Sequence, residues 1–171
     1  NEICPSTHYM PLAIGNYWVY ESQIYNFNTY AITTFLFPDT IKVIGDTTIG
    51  SNYYYTLAID KWGANSLNQD TTFLRDSTGY LVNHLGEIKF ATTDFERPLS
   101  REIIPSGGFN ERFVEYSIRD SNIVKITPAG VFNCLDYSGD VWTGLVWLDK
   151  KFHNCYAKEI GLVYQSKFFS T

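Results

Sequence analysis

Three cysteines, Cys4, Cys134 and Cys155, are the most chemically distinctive residues of this chain. A hairpin centred between Gly144 and Leu145 would set Cys134 directly opposite Cys155, within reach of a cross-strand disulfide in an oxidising compartment. If residues 141–148 form an intervening strand instead, the two lie about 10 Å apart and cannot bridge. The remaining alternative is two buried free thiols acting as small hydrophobes. No Cys carries a nucleophile signature or has an identifiable base, which argues against a catalytic thiol. Cys4, near the N-terminus, could pair with nothing. His153 and Cys155 are spaced i, i+2, so a strand would point both to one face. A metal would need further ligands, and the chain has only three His. His8 and His84 stand alone and read as surface or satisfied groups. The residues imply no metal and no cofactor.

The acidic residues are scattered. Asp94, Glu96, Glu102, Glu111 and Glu115 could line a site, and glycoside hydrolysis needs two carboxylates at a defined separation across the substrate. Sequence spacing cannot supply that separation, and a solvated surface is the simpler reading. Asp70, Asp76, Asp120 and Asp136 fall mostly at turn-like positions, where Asp is expected. Gly107-Gly108 alone is a turn and not a phosphate loop, and Ser106 and Ser166 lack a nucleophile-elbow context. The aromatics are the last candidates. Trp18, Tyr20, Tyr53, Tyr55, Trp62, Trp142 and Trp147 could stack on sugars or line an apolar cavity, although aromatics at strand spacing belong more often to a core.

These residues must be positioned by some scaffold, and composition limits which one. The chain has 171 residues, enough for one domain with a real core. Its 44% hydrophobic content excludes a disordered chain. Aromatics reach 17%, with 13 Tyr, 12 Phe and 4 Trp against one Met, and such side chains fit a pleated surface. The net charge of −5 argues against binding to a phosphate backbone or docking on anionic lipid. No apolar run approaches the ~20 residues of a membrane-spanning helix.

Along the chain, short strand-like runs alternate with turn residues. Tyr17-Trp18-Val19-Tyr20 follows Gly15-Asn16. A run from Thr29 to Phe37 stops at Pro38-Asp39. Ile41 to Ile44 ends at Gly45-Asp46, and Ile49 to Asn52 turns the chain into Tyr53 to Ile59. Ala64 to Gln69 reads as a loop. Asp76-Ser77-Thr78-Gly79 is a turn between Thr72–Arg75 and Tyr80–Val82. Ile88-Lys89-Phe90 follows. Asp94 to Asn110, with Pro98, Pro105, Gly107 and Gly108, reads as a long functional or flexible loop. Val114, Tyr116 and Ile118 alternate with Glu115, Ser117 and Arg119, as in a half-buried antiparallel strand. Asp120-Ser121-Asn122 reads as a turn into Ile123 to Ile126. Strand signals at Val131–Tyr137, within Val141–Tyr156, and at Gly161–Phe169 complete the chain. No segment has sustained helical periodicity. The expected fold is all-β: an antiparallel meander of about ten strands forming a strongly curved sheet or β-barrel, which hides one face and manages its edges. It is expected as a single β domain over 1–171, with 1–10 a flexible N-terminal segment.

Three motifs occur in a familiar order. Pro11-Leu12, Gly15-Asn16 and Trp18-x-Tyr20 open the chain, followed by Val43 to Ile49 and Tyr53-Tyr54. Thr127-Pro128-Ala129-Gly130-Val131-Phe132-Asn133-Cys134 and Tyr156-Ala157 to Gly161-Leu162-Val163 close it. The ensemble resembles an uncharacterised family of secreted or lipid-anchored β domains common in Bacteroidetes. Cys155 and the insertion-like stretch from Gly139 to Lys151 depart from that pattern. The resemblance implies an exported protein, periplasmic, outer-membrane-anchored or extracellular, held by a lipid on a Cys upstream of Asn1. It carries over no catalytic residue. The functional expectation is a non-enzymatic cell-envelope domain that binds an apolar ligand or a protein partner. A carbohydrate-binding accessory module is the alternative, and a hydrolase built on scattered carboxylates comes last. The partner would be a small apolar molecule, a glycan or a protein, and not nucleic acid.

Overall fold

The computed structural model describes residues 5–26, 31–34, 37–62, 67–95, 97–104, 112–143 and 146–166, with the backbone alone for 24–26, 62 and 146–150. Within these residues the protein is all-β and antiparallel, and its sheets are strongly curved. The chain divides into two compact units, one of residues 12–75 and one of residues 1–11 and 76–171.

The first unit contains β1 (Tyr17–Tyr20), β2 (Gln23–Asn26), β3 (Ala31–Thr34), β4 (Asp39–Ile49), β5 (Asn52–Trp62) and most of β6 (Leu67–Ser77). Strands β1, β4, β5 and β6 lie side by side in that order, and β2 and β3 pair as a separate ribbon. The expected hairpin is present: Ile49 pairs with Asn52 across Gly50, whose positive φ of 63° suits a tight turn. Strand β4 does not stop at Gly45-Asp46. A register shift between Val43 and Gly45 lets the ladder continue, because a bulge absorbs the extra residue without ending the strand. Residues 67–69, expected in a loop, begin β6. The Gly15-Asn16 turn is pinned to β4, since Gly15 N–H donates to Val43 O and Val43 N–H to Asn16 O, both at 2.9 Å. Val43, Leu57, Tyr54, Leu74 and Leu12 are buried.

The second unit contains β7 (Tyr80–Asn83), β8 (Ile88–Ala91), β9 (Ser100–Ile104), β10 (Arg112–Thr127), β11 (Gly130–Thr143), β12 (Val146–Ala157) and β13 (Gly161–Ser166). β7 and β8 pair. The other five form a sheet in the order β13-β12-β11-β10-β9. Thr78 and Gly79 both have positive φ, as a two-residue hairpin turn requires. β9 lies inside the stretch expected to be a loop: Ser100 to Ile104 add an edge to β10 despite the flanking prolines. Residues 120–122 are not a turn. β10 runs through them with register shifts at Ile118/Asp120 and Asp120/Ile123. Of the N-terminal segment, Ser6 is buried, and both its N–H and its hydroxyl donate to the Asp76 carboxylate.

Val114, Tyr116 and Ile118 of β10 are buried as the alternation predicts, but Ser117, expected on the solvent face, is buried as well. On the same face of the sheet as Val114 lie the buried Leu135, Tyr137 and Val141 of β11 and Phe152 and Tyr156 of β12. Phe90 of β8 is fully buried, its ring centroid 4.2 Å from that of Tyr156, 5.7 Å from Tyr9 and 6.1 Å from Tyr137. Tyr116 and Tyr137 stack at 5.3 Å. Their hydroxyls are satisfied: Tyr116 donates to Glu102 at 2.9 Å, and Tyr137 shares a 2.7 Å hydrogen bond with Ser100. Gly139 makes this stack possible, because a Cβ there would lie 2.2 Å from Val114 Cγ1 and 2.9 Å from Tyr116 Cε1.

Candidate functional site

Strands β11 and β12 pair directly with each other up to Thr143 and Val146, the first of the two arrangements the sequence allows. Val141 pairs with Leu148, Trp142 with Trp147 and Thr143 with Val146. The register then shifts by two. Asp140 faces Lys151, and from there Cys155 stands opposite Asp136 and Cys134 opposite Ala157. The direct Cys134–Cys155 opposition is therefore lost. Both are free buried thiols, packed in a cluster with Ala157, Ile123, Phe132 and Val163. Burial, then the nearby Asp136 carboxylate, pushes the Cys155 thiol up to about 12. Burial likewise raises Cys134. Thiols held protonated in this way are poor nucleophiles and poor metal ligands.

The same register builds a polar face. Residues 134–139 of β11 are all buried, so this strand is covered on both sides. Leu135, Tyr137, Gly139 and Val141 face the aromatic core. Cys134, Asp136, Ser138, Asp140 and Trp142 face the other way. From β10, Glu115 and Ser117 join this second face opposite Asp140 and Ser138; from β12, Lys151, His153 and Cys155 join it opposite Asp140, Ser138 and Asp136.

His153 and Cys155 do share a face, and Asp136 lies between them. His153 Nδ1 is 3.0 Å from one Asp136 oxygen and 3.2 Å from the other, and the Cys155 thiol donates to Asp136 at 3.8 Å. Among the described residues no three such side chains converge on one point as metal ligands must. Arg119 pairs with Asp140, and Arg101 with Glu115 at 2.5 Å. Among the described residues of this face, three polar atoms are buried with no hydrogen-bond partner: Ser117 Oγ, Ser138 Oγ and Trp142 Nε1. An orphaned buried donor costs about 1–3 kcal/mol. Of these three the sequence points to Trp142 but not to the two serines, and Ser117 occupies a position expected to face solvent.

The carboxylates proposed for hydrolysis are not brought together. Glu102 lies on the core face, accepting from Tyr116, whereas Glu115 lies on the polar face. Asp94 is engaged by the Tyr80 hydroxyl and by Arg97, which hold its carboxyl below the usual range. Glu96 and Glu111 lie outside the described residues.

The candidate aromatics divide between the units. Trp18, Tyr53 and Tyr55 belong to the first, opposite Ile41, Thr48 and Asp46. Tyr53 is exposed, but its ring stands at 85° to that of Tyr55, so the two form no flat platform. The Trp62 and Trp147 side chains lie outside the described residues; their backbones lie at the end of β5 and near the start of β12. Trp142, in the second unit, is partly buried. Its ring lies near-parallel to Phe113, with centroids 6.2 Å apart and planes at 11°, and the Arg101 guanidinium covers Phe113 at 4.0 Å.

Two further surfaces bear on binding. In the first unit, Ala58, Asp60, Gln69, Asp70 and Thr71 border an open depression of about 500 Å³. In the second, β10 and β11 extend past Cys134, beyond the reach of the β12 ladder. There Val124, Ile126 and Val131 continue the apolar core face into solvent, 59%, 80% and 67% exposed. Ile126 and Val131 are directly paired. Comparison with protein-family models, curated proteins and solved structures gives no match for this chain.

Proposed function

We propose that this protein is a non-enzymatic, exported cell-envelope domain that holds a protein partner through the projecting β10–β11 hairpin. The supporting observation is the strip of Val124, Ile126 and Val131, three β-branched apolar residues in solvent on one face of a paired ribbon. A contiguous exposed apolar strip is costly for solubility and characteristic of an interface. Such a ribbon offers side chains already fixed by cross-strand pairing, so little conformational entropy is lost on docking. The resemblance of its motif order to secreted and lipid-anchored β domains supports the envelope setting. An enclosed apolar ligand is the weaker alternative, because the depression bordered by β5 and β6 is open and lined mainly by polar side chains.

The test replaces Ile126 and Val131 together by Thr. Exposed positions of this kind change stability by only about 0.5 kcal/mol. Chemical cross-linking in intact cells should capture a defined partner with the wild-type protein and lose it with the double variant. Equal capture by both proteins would sink the reading.

A further inference from the structure

We propose that the partner is bound by strand addition: an extended segment of it, apolar–acidic–apolar in pattern, pairs with the free edge of β10 from Ile123 to Thr127. This rests on the reading that the hairpin is a docking surface, and it names what docks there. Val124, Ile126 and Val131 alone cover only a fraction of the ~800 Å² that each partner buries in a stable interface. A second source of affinity is needed, and backbone hydrogen bonds at an open edge provide one. β9 pairs with β10 only from Arg112 to Tyr116, and past Tyr116 no described strand pairs with that side. From Ile118 to Ile123 two register shifts and the exposed Asp120 guard the edge. From Ile123 to Thr127 those guards stop. The ladder to β11 is unbroken, from Ile123 opposite Cys134 to Thr127 opposite Gly130. Lys125 is the one charged residue of this segment, and its Nζ lies 4.2 Å from the centroid of the Tyr164 ring, away from guarding the edge. β13, which carries Tyr164, makes its ladder with β12 and not with β10.

The side chains of this edge set the pattern of the segment. Val124 and Ile126 are 59% and 80% exposed, and an added strand sets alternate side chains about 5 Å from them. Apolar residues at those two positions take both out of water. The residue between them falls on the other face, beside Lys125. Among the described residues no carboxylate pairs with Lys125, so an acidic side chain there meets an unspent charge. A second copy of this chain fits less well. The antiparallel register that pairs all of Ile123–Thr127 with its copy sets Lys125 directly against the same residue, and like charges so placed repel.

The experiment is fluorescence anisotropy of the whole protein with a labelled, end-capped peptide of sequence serine-threonine-valine-glutamate-valine-threonine-serine. It should bind with a Kd of about 100 μM or tighter. Two N-methylated versions test the backbone pairing on the unaltered protein, one blocked at both valines, the other at the glutamate and both threonines. Alternate residues of an added strand face β10, so one version should lose binding and the other keep it. Lys125→Glu should weaken the parent peptide about tenfold and favour its glutamate-to-lysine counterpart, with the fold intact by circular dichroism. No binding of the parent peptide, or equal binding of the two N-methylated versions, overturns strand addition. So does sedimentation of the protein as a homodimer that the peptide cannot displace. If cross-linking in cells still depends on Ile126 and Val131 while the peptide fails, the docking surface stands and only strand addition falls. Equal capture by the wild type and the Ile126→Thr/Val131→Thr protein removes both.

Discussion

At the scale of single residues, the thiols and Gly139 carry the sharpest expectations. Cys155 faces a carboxylate instead of a second cysteine, and both thiols are buried and protonated. Peptide mapping without reductant should recover Cys134 and Cys155 as free thiols. Iodoacetamide at pH 8 should modify neither in the native protein and both after unfolding. A Cys134–Cys155 disulfide in the purified protein would contradict the register. Gly139→Ala should cost about 1–3 kcal/mol in urea unfolding, because its methyl group would overlap Val114 and Tyr116 in a filled core. Phe90→Ala, which leaves a hole among three tyrosine rings, should cost about 3–5 kcal/mol. Neither cost is legible in the sequence. Gly139 reads there as part of an insertion, and the contacts that make it necessary come from β10.

At the scale of elements, local chemistry predicts the strands better than their ends. The alternation from Val114 to Ile118 and the turns at Gly50 and at Thr78-Gly79 follow from side-chain period and backbone preference, which are local properties. The errors share one cause. Gly45-Asp46 and Asp120-Ser121-Asn122 have turn composition, yet both lie inside continuous strands as bulges or register irregularities. A bulge and a turn favour the same residues, and only the neighbouring strand distinguishes them. β9 escapes notice for a related reason, since a short edge strand pairs on one side only and needs little pattern of its own. The site is less legible still. Cross-strand register, which joins Asp136 to His153 and Ser117 to Ser138, has no signature in linear spacing.

At the scale of the whole molecule, the antiparallel β architecture follows from composition: abundant aromatics, few helix formers and frequent turn residues. What composition could not show is how many ionisable groups the fold seals away. Burial raises Tyr116, Tyr137 and Tyr156 as well as the two thiols, with Tyr137 pushed to about 12. In each case the folded state holds its proton more tightly than the unfolded chain does. The associated stability is complete below the unfolded values, about 8.5 for Cys and 10 for Tyr, and is lost as pH rises through the folded ones. Urea midpoints should therefore be flat from neutrality to about pH 8.5 and fall steeply towards pH 12. Each tenfold gain in proton affinity that burial confers on a group is worth about 1.4 kcal/mol of this loss. A midpoint that stayed level to pH 12 would mean that these groups titrate as they do in the unfolded chain.

The shift in the β11–β12 ladder also stores slack. Asp149 and Lys150 have no ladder partners between Leu148 and Lys151. Drawing those two residues into the ladder would slide the rest of β12 along β11 by one pair of positions. Asp140 would then meet Asp149, and Cys155 would arrive opposite Cys134. Side chains alternate with a period of two, so this slide turns none of them over, and each face of the sheet keeps its membership. The two registers are commensurate, and the thiols stay apart because the ladder holds the one that sets Cys155 opposite Asp136.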